Sequence, residues 1–226
     1  MKHDEEKKYF EKFALNLLKE YKNIDISNFK DDEEPDWQDE KNSTGIEVTR
    51  DSVGTKFWAD LEKVKDKKIS DKKVKEFNKR FKANGGRILD KKTASIIGIE
   101  ECSFGYNNNF VYIIPSYNNS FDRINIIIKE KTEKLNAHYK ETIQDNRLFI
   151  FSPMLINKEM ADEELIEMKN NQIKFNRNFN IIFVCILQEI YTFDLIKNEW
   201  NAIKMDEMEF NKISIDSCNE VKNIWD

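Results

Sequence analysis

The sequence predicts an α/β fold, a mixed central sheet flanked by helices and carrying a helical insertion. Segments of helical hydrophobic period alternate with segments of strand period along the chain, and no internal repeat interrupts them. The 226 residues include 16 Phe, 7 Tyr and 4 Trp, enough bulk for a core although hydrophobic residues make up only 39%. That length suits one domain, 1–226, interrupted by an insertion over 55–110.

The elements follow in order. Phe10, Phe13, Ala14, Leu17 and Tyr21 share one face of an opening helix, while Lys7, Glu11 and Lys19 flank or oppose it. Glu6 falls on the apolar side, in a first turn expected to fray, where the helix dipole favours acids. Residues 31–40 then hold seven acids and no base. Such a run by itself reads as a solvated, self-repelling loop. Lys41-Asn42-Ser43-Thr44-Gly45 is turn chemistry, and Ile46-Glu47-Val48-Thr49 alternates with the period of a half-buried strand. The expected unit is a hairpin, with a short strand around Trp37 and a second through Val48.

Residues 55–82 read as two helices, with Ser70 as an N-cap and Asn84-Gly85-Gly86 as the stop. The stretch 87–110 reads as a partly irregular insertion, and Phe110 to Ile114 as a strand ended by Pro115. Helical period returns from Phe121 to Tyr139. Leu148 to Phe151 reads as a strand, Asn157 to Phe175 as a helix, and Ile181–Ile186 with Ile190–Ile196 as paired strands. The tail from 201 shows a weak strand pattern at Ile213 to Ile215.

Several functions lose support at once. Six Gly in the chain form neither a P-loop nor GxGxxG, and two His, His3 and His138, cannot build HExxH. Cys102, Cys185 and Cys218 form no CxxC, so neither a zinc ribbon nor a disulfide framework is expected. The charged N-terminus lacks the apolar stretch of a signal peptide, and Ile181 to Leu187 is too short to span a bilayer. A cytoplasmic protein without membrane association is the expectation.

The sharpest chemical feature is Pro35-Asp36 followed by Glu47-Val48-Thr49. A hairpin brings Asp36 and Glu47 together, and Glu47 shares a strand face with Thr49 while Ile46 and Val48 face the core. Two carboxylates and a backbone carbonyl form a hard oxygen set suited to Mg²⁺ or Mn²⁺. Such an ion activates water and stabilises charge building on phosphate. Further along, Ile124, Ile127, Ile128 and Leu135 line one helix face, with Lys131 in mid-stripe. Burying an ammonium without a partner is costly. Lys131 therefore either runs its stem along the core edge with its amine in water, or is drawn inward by carboxylates. Lys134 lies at the edge of that face. His138 lies nearer its centre, as a hydrogen-bonded boundary residue or, alternatively, a general base.

The Pro-Asp and Glu-x-x pattern resembles the PD-(D/E)xK nuclease superfamily, of restriction-endonuclease-like fold. The variant Gly45-Ile46-Glu47-Val48-Thr49 looks like that of uncharacterised bacterial and phage families placed there. The resemblance covers residues 1–195. It implies Asp36 and Glu47 as metal ligands with the Val48 carbonyl, Thr49 standing where lysine is usual, and Lys131 as a migrated catalytic lysine. The implied activity is Mg²⁺- or Mn²⁺-dependent hydrolysis of phosphodiester bonds in nucleic acid, DNA favoured. Between Lys63 and Lys82 ten bases outnumber three acids, so phosphate contact is open to that segment, although a net charge of −5 opposes strong nonspecific DNA binding. The alternative is a catalytically inactive interaction protein on the same fold, an immunity or anti-defence factor. An acidic surface suits a basic protein partner.

Overall fold

The computed structural model describes residues 3–51, 75, 79, 87–90, 103–107, 110–113, 118–152 and 158–225. The chain forms two compact units: Met1–Arg50 with Ile124–Ser152 and Lys158–Asp226, and Asp51–Arg123 with Pro153–Asn157.

The first unit opens with α1 (His3–Lys22). Phe13, Ala14, Leu17 and Leu18 are buried, and the acids of the first turn complement the helix dipole. A seven-stranded sheet follows in the order β1-β2-β3-β7-β8-β9-β10. β1 (Lys30–Asp31) and β2 (Trp37–Asp39) are short, and β2 pairs antiparallel with β3 (Thr44–Arg50), matching Trp37 to Ile46 and Gln38 to Gly45. This is the expected hairpin.

β7 (Asp145–Phe151) and β8 (Ile181–Ile186) run parallel to β3 at the centre. Leu148, Phe149 and Ile150 are all fully buried, as a strand covered on both faces requires. β9 (Glu189–Asp194) and β10 (Glu199–Lys204) complete the sheet antiparallel. Ile46, Val48, Phe149 and Phe183 meet Phe13 and Leu17 in one core. Each buried side chain of this size stabilises by about 1.5–3 kcal/mol.

α2 (Asn118–His138) presents Ile124, Ile127, Ile128 and Leu135 to the interior. α3 (Ala161–Asn170), preceded by a 3₁₀ turn at Lys158–Met160, is shorter than the helix expected to reach Phe175. Its continuation is a series of turns in which Gln172 is buried and its Oε1 accepts from the Phe179 amide at 2.7 Å. α4 (Glu207–Trp225) replaces the strand expected around Ile213 to Ile215. Ile213 is buried and Ile215 exposed, a difference that a shared strand face would not allow.

α4 packs along α1. Tyr9 Oη and Ser214 Oγ share a hydrogen bond of 2.7 Å, Asn16 Nδ2 donates to Ser217 Oγ at 3.0 Å, and Lys12 pairs with Glu220 at 2.7 Å. No described helix is long and apolar enough to cross a membrane.

In the second unit, β4 (Arg87–Asp90), β5 (Ser103–Asn107) and β6 (Phe110–Ile113) form an antiparallel sheet in the order β4-β6-β5. The stretch expected to be partly irregular therefore includes regular strands. Lys75 and Lys79 are helical. The rest of the two helices expected over 55–82, with their cap, their stop and most of the basic segment, lies outside the described residues.

Candidate functional site

Asp36 enters through the hairpin. β2 begins at Trp37, paired with Ile46, so Asp36 is the next residue out, opposite Glu47. Asp36 Oδ2 accepts a hydrogen bond of 2.7 Å from the Val48 amide, extending the strand edge with a side chain after the ladder stops. A strand residue points its N–H and C=O to the same side, so the Val48 carbonyl lies along this edge too. Gly45 permits the approach: a Cβ there would sit 2.5 Å from Pro35 Cγ and 2.9 Å from Ile143 Cγ2. The Pro-Asp and Gly-Ile-Glu segments are thus packed directly on each other.

Glu47 is 1% exposed, as is Asp36. Lys131 Nζ donates to Glu47 Oε1 at 2.7 Å and Lys134 Nζ to the same oxygen at 3.2 Å, while the Tyr139 hydroxyl donates to Oε2. Of the two readings open for Lys131, the inward one holds. Its side chain remains 24% exposed, so the stem crosses the core edge and the ammonium turns to the carboxylate. Thr49 is half-buried, two residues further along the Glu47 face.

The two carboxylates titrate apart. Burial raises the Asp36 pKa, the neighbouring Glu47 charge raises it further, and it is pushed up to about 7 despite the Val48 amide. Burial also disfavours ionised Glu47, but Lys131, Tyr139 and Lys134 outweigh that and hold it below its ordinary value. The pair divides its roles as burial and unequal counter-charge dictate.

On the α1 side, Lys7 Nζ lies 3.3 Å from Asp36 Oδ1 and 3.1 Å from Glu11 Oε1. Glu11, expected to flank or oppose the apolar face, is instead 1% exposed. The correction has a local cause: Trp37 Nε1 donates to the Glu11 carbonyl at 3.0 Å, laying the β2 end over that turn of the helix.

Two other expectations are corrected. Glu6 is neither frayed nor turned to the carboxylates, since its Oε1 lies 2.5 Å from Arg50 Nη1. His138 is exposed, because the buried stripe of α2 ends at Leu135 and Tyr139, just past the helix, covers Glu47 instead. Nor is the acidic stretch a bare loop. Lys8 holds Asp31 at 2.6 Å, Lys140 holds Asp32 at 2.9 Å, and Lys134 lies 3.7 Å from Glu34.

Tyr139, Lys7 and Glu11 were not singled out by sequence reasoning. Tyr139 read only as a helix end, and the Lys7–Glu11 spacing of four is common on any helix surface. A buried carboxylate on a helix becomes visible only when its covering residue, here Trp37, is known.

The oxygen set present suits a hard divalent cation: Asp36, Glu47 and the Val48 carbonyl, with an ammonium already standing beside Asp36 as a counter-ion. Among the described residues no group of three or more His, Cys, Asp or Glu converges as a metal cluster. Water would have to supply the remaining ligands, as it commonly does for Mg²⁺. No family model, curated protein or solved structure matches the chain.

Proposed function

We propose that this chain is a Mg²⁺- or Mn²⁺-dependent phosphodiesterase acting on nucleic acid, DNA in the first instance, with a core of restriction-endonuclease-like type. The observation that carries the reading is the Lys131 ammonium, 2.7 Å from a buried Glu47 that lies opposite Asp36 on the neighbouring strand. A lysine in mid-stripe of an apolar helix face finds its partner there, which gives a positive donor on the carboxylate that faces Asp36. The order of helix, hairpin, helix and parallel strand also agrees with the PD-(D/E)xK resemblance.

Asp36, Glu47 and the Val48 carbonyl would hold the cation. Bound there, it would activate water and neutralise charge on the phosphate. Lys131 would donate to a phosphoryl oxygen as negative charge builds, and burial makes such a preorganised donor effective. Tyr139 fixes Glu47 Oε2 and so orients the carboxylate. Lys134 adds positive charge, and Thr49, along the same face, would hydrogen-bond water or a phosphate oxygen.

The test is cleavage of supercoiled, linear and single-stranded DNA and of RNA, with Mn²⁺, Mg²⁺ or a chelator. Metal-dependent cleavage by wild type and none by Glu47→Gln is expected. Equal cleavage by both proteins would overturn the assignment.

A second reading, an inactive interaction protein on this fold, is favoured by one observation. Both Glu47 oxygens already have protein partners, Lys131 and Lys134 on one and Tyr139 on the other. A protein that takes up no divalent metal, cleaves nothing and binds a basic partner tightly would establish that reading.

A further inference from the structure

Lys7 differs from the other lysines of the site. Lys131 and Lys134 both reach Glu47, whereas Lys7 stands between Asp36 and Glu11, 3.3 Å and 3.1 Å from their nearest oxygens. Both acids are 1% exposed, while the Lys7 side chain is 56% exposed and projects from the first turns of α1. Neither buried Glu11 oxygen accepts a hydrogen bond of good geometry among the described residues. Among the described residues its charge is met by the ammoniums of Lys7 and, at 3.2 Å, Lys8. A half-exposed cation thus serves two buried carboxylates.

We propose that Lys7 is an internal stand-in for the divalent cation: its ammonium occupies the flank of Asp36 while the metal is absent, and metal entry displaces it outward. The inference rests on the metal-dependent reading given above. An ammonium brings one charge at hydrogen-bond distance, whereas Mg²⁺ brings two at about 2.1 Å from its oxygens. The divalent ion therefore wins Asp36, and the two cations repel at such separation. Because the Lys7 side chain is already 56% exposed, swinging it out uncovers little apolar surface. Released, it stands at the mouth of the site, where an incoming phosphate needs positive charge.

The experiment is MnCl₂ titration by calorimetry of wild type, Lys7→Gln and Lys8→Gln, with acetylation of each lysine followed by mass spectrometry with and without MnCl₂. Lys8 supplies the control. It lies as close to Glu11 as Lys7 does but makes no ion pair with Asp36. Lys7→Gln should bind Mn²⁺ about five- to tenfold more tightly, against less than twofold for Lys8→Gln. Acetylation of Lys7 in wild type should rise severalfold on adding Mn²⁺. Wild type that binds Mn²⁺ with Lys7→Gln equal to or weaker than it, with Lys8→Gln gaining as much, or with Lys7 acetylation unchanged, would overturn the stand-in role and leave the metal reading intact. Mn²⁺ uptake by none of the three proteins would overturn both.

Discussion

Lys131 Nζ and Glu47 Oε1 meet at 2.7 Å across 84 positions of sequence, joining the inner face of α2 to the polar face of β3. The contact resolves the oddity of a lysine among Ile127, Ile128 and Leu135, since a buried anion compensates for the ammonium's lost hydration. It also gives the most direct test of mechanism.

Lys131→Met preserves the apolar stripe, and Lys134 remains on Glu47 Oε1. Stability should change by no more than about 1 kcal/mol, while cleavage falls about a hundredfold or more, the scale of losing one transition-state donor. Urea unfolding and initial cleavage rates check the two halves separately. A variant that cleaves like wild type would remove Lys131 from the machinery.

Glu47→Gln should lower stability as well as activity. The amide cannot neutralise Lys131 and Lys134, although its carbonyl still accepts from Tyr139. Both ammoniums stay partly hydrated, so a loss of about 1–3 kcal/mol is expected in urea denaturation. An unchanged midpoint would mean the network contributes nothing to folding.

Asp36 should behave oppositely, and the sign follows from linkage. Its folded value is pushed up to about 7 from an ordinary 3.8, chiefly by burial and then by Glu47. The native chain keeps a proton that the unfolded chain releases, so wild-type stability declines as pH rises through that window. The lowered pKa of Glu47 acts in the reverse sense, withdrawing stability as pH falls towards and below 4.5. In metal-free buffer Asp36→Asn should therefore be the more stable protein at pH 8, with the difference closing towards pH 5. Urea midpoints across that range measure it, and parallel profiles for the two proteins would contradict it.

At Gly45 an added Cβ meets a proline ring and a branched side chain, neither of which can rotate away. Gly45→Ala should cost about 1–3 kcal/mol. Because Pro35 must move and Asp36 follows it in the chain, Mn²⁺ affinity should fall together with the urea midpoint. Wild-type values for both would show that the hairpin packs less tightly than described.

What could be read in advance depended on how local the cause was. Pro35-Asp36, the turn chemistry of Lys41 to Gly45 and the alternation through Val48 lie close together in sequence, so the hairpin and its two acids were legible, although Thr44 and Gly45 already belong to β3. Lys131 was visible as a charge in an apolar stripe, though its direction required Glu47 to be placed. Glu11 was not legible, since its burial comes from Trp37 on another element. Ile213 and Ile215 suggested a strand because both are β-branched and alternate. The helix prevails because α1 covers one side of it, through Ser214 and Ser217. The end of α3 was missed because residues 171–175 keep an amphipathic pattern after the helical hydrogen bonds stop.

The clasp between α1 and α4 orders events during synthesis. Asn16 leaves the ribosome 201 positions before Ser217, the residue that receives its hydrogen bond. Asp36 and Glu47 can face each other once the hairpin closes, and Phe13 and Leu17 already have Ile46, Val48, Phe149 and Phe183 to pack on. A nascent chain that stops short of Glu207 therefore carries Lys7 and Glu11 on a helix seated on the sheet but lacking its partner along Tyr9 and Asn16. The last helix to be made closes the one that was made first.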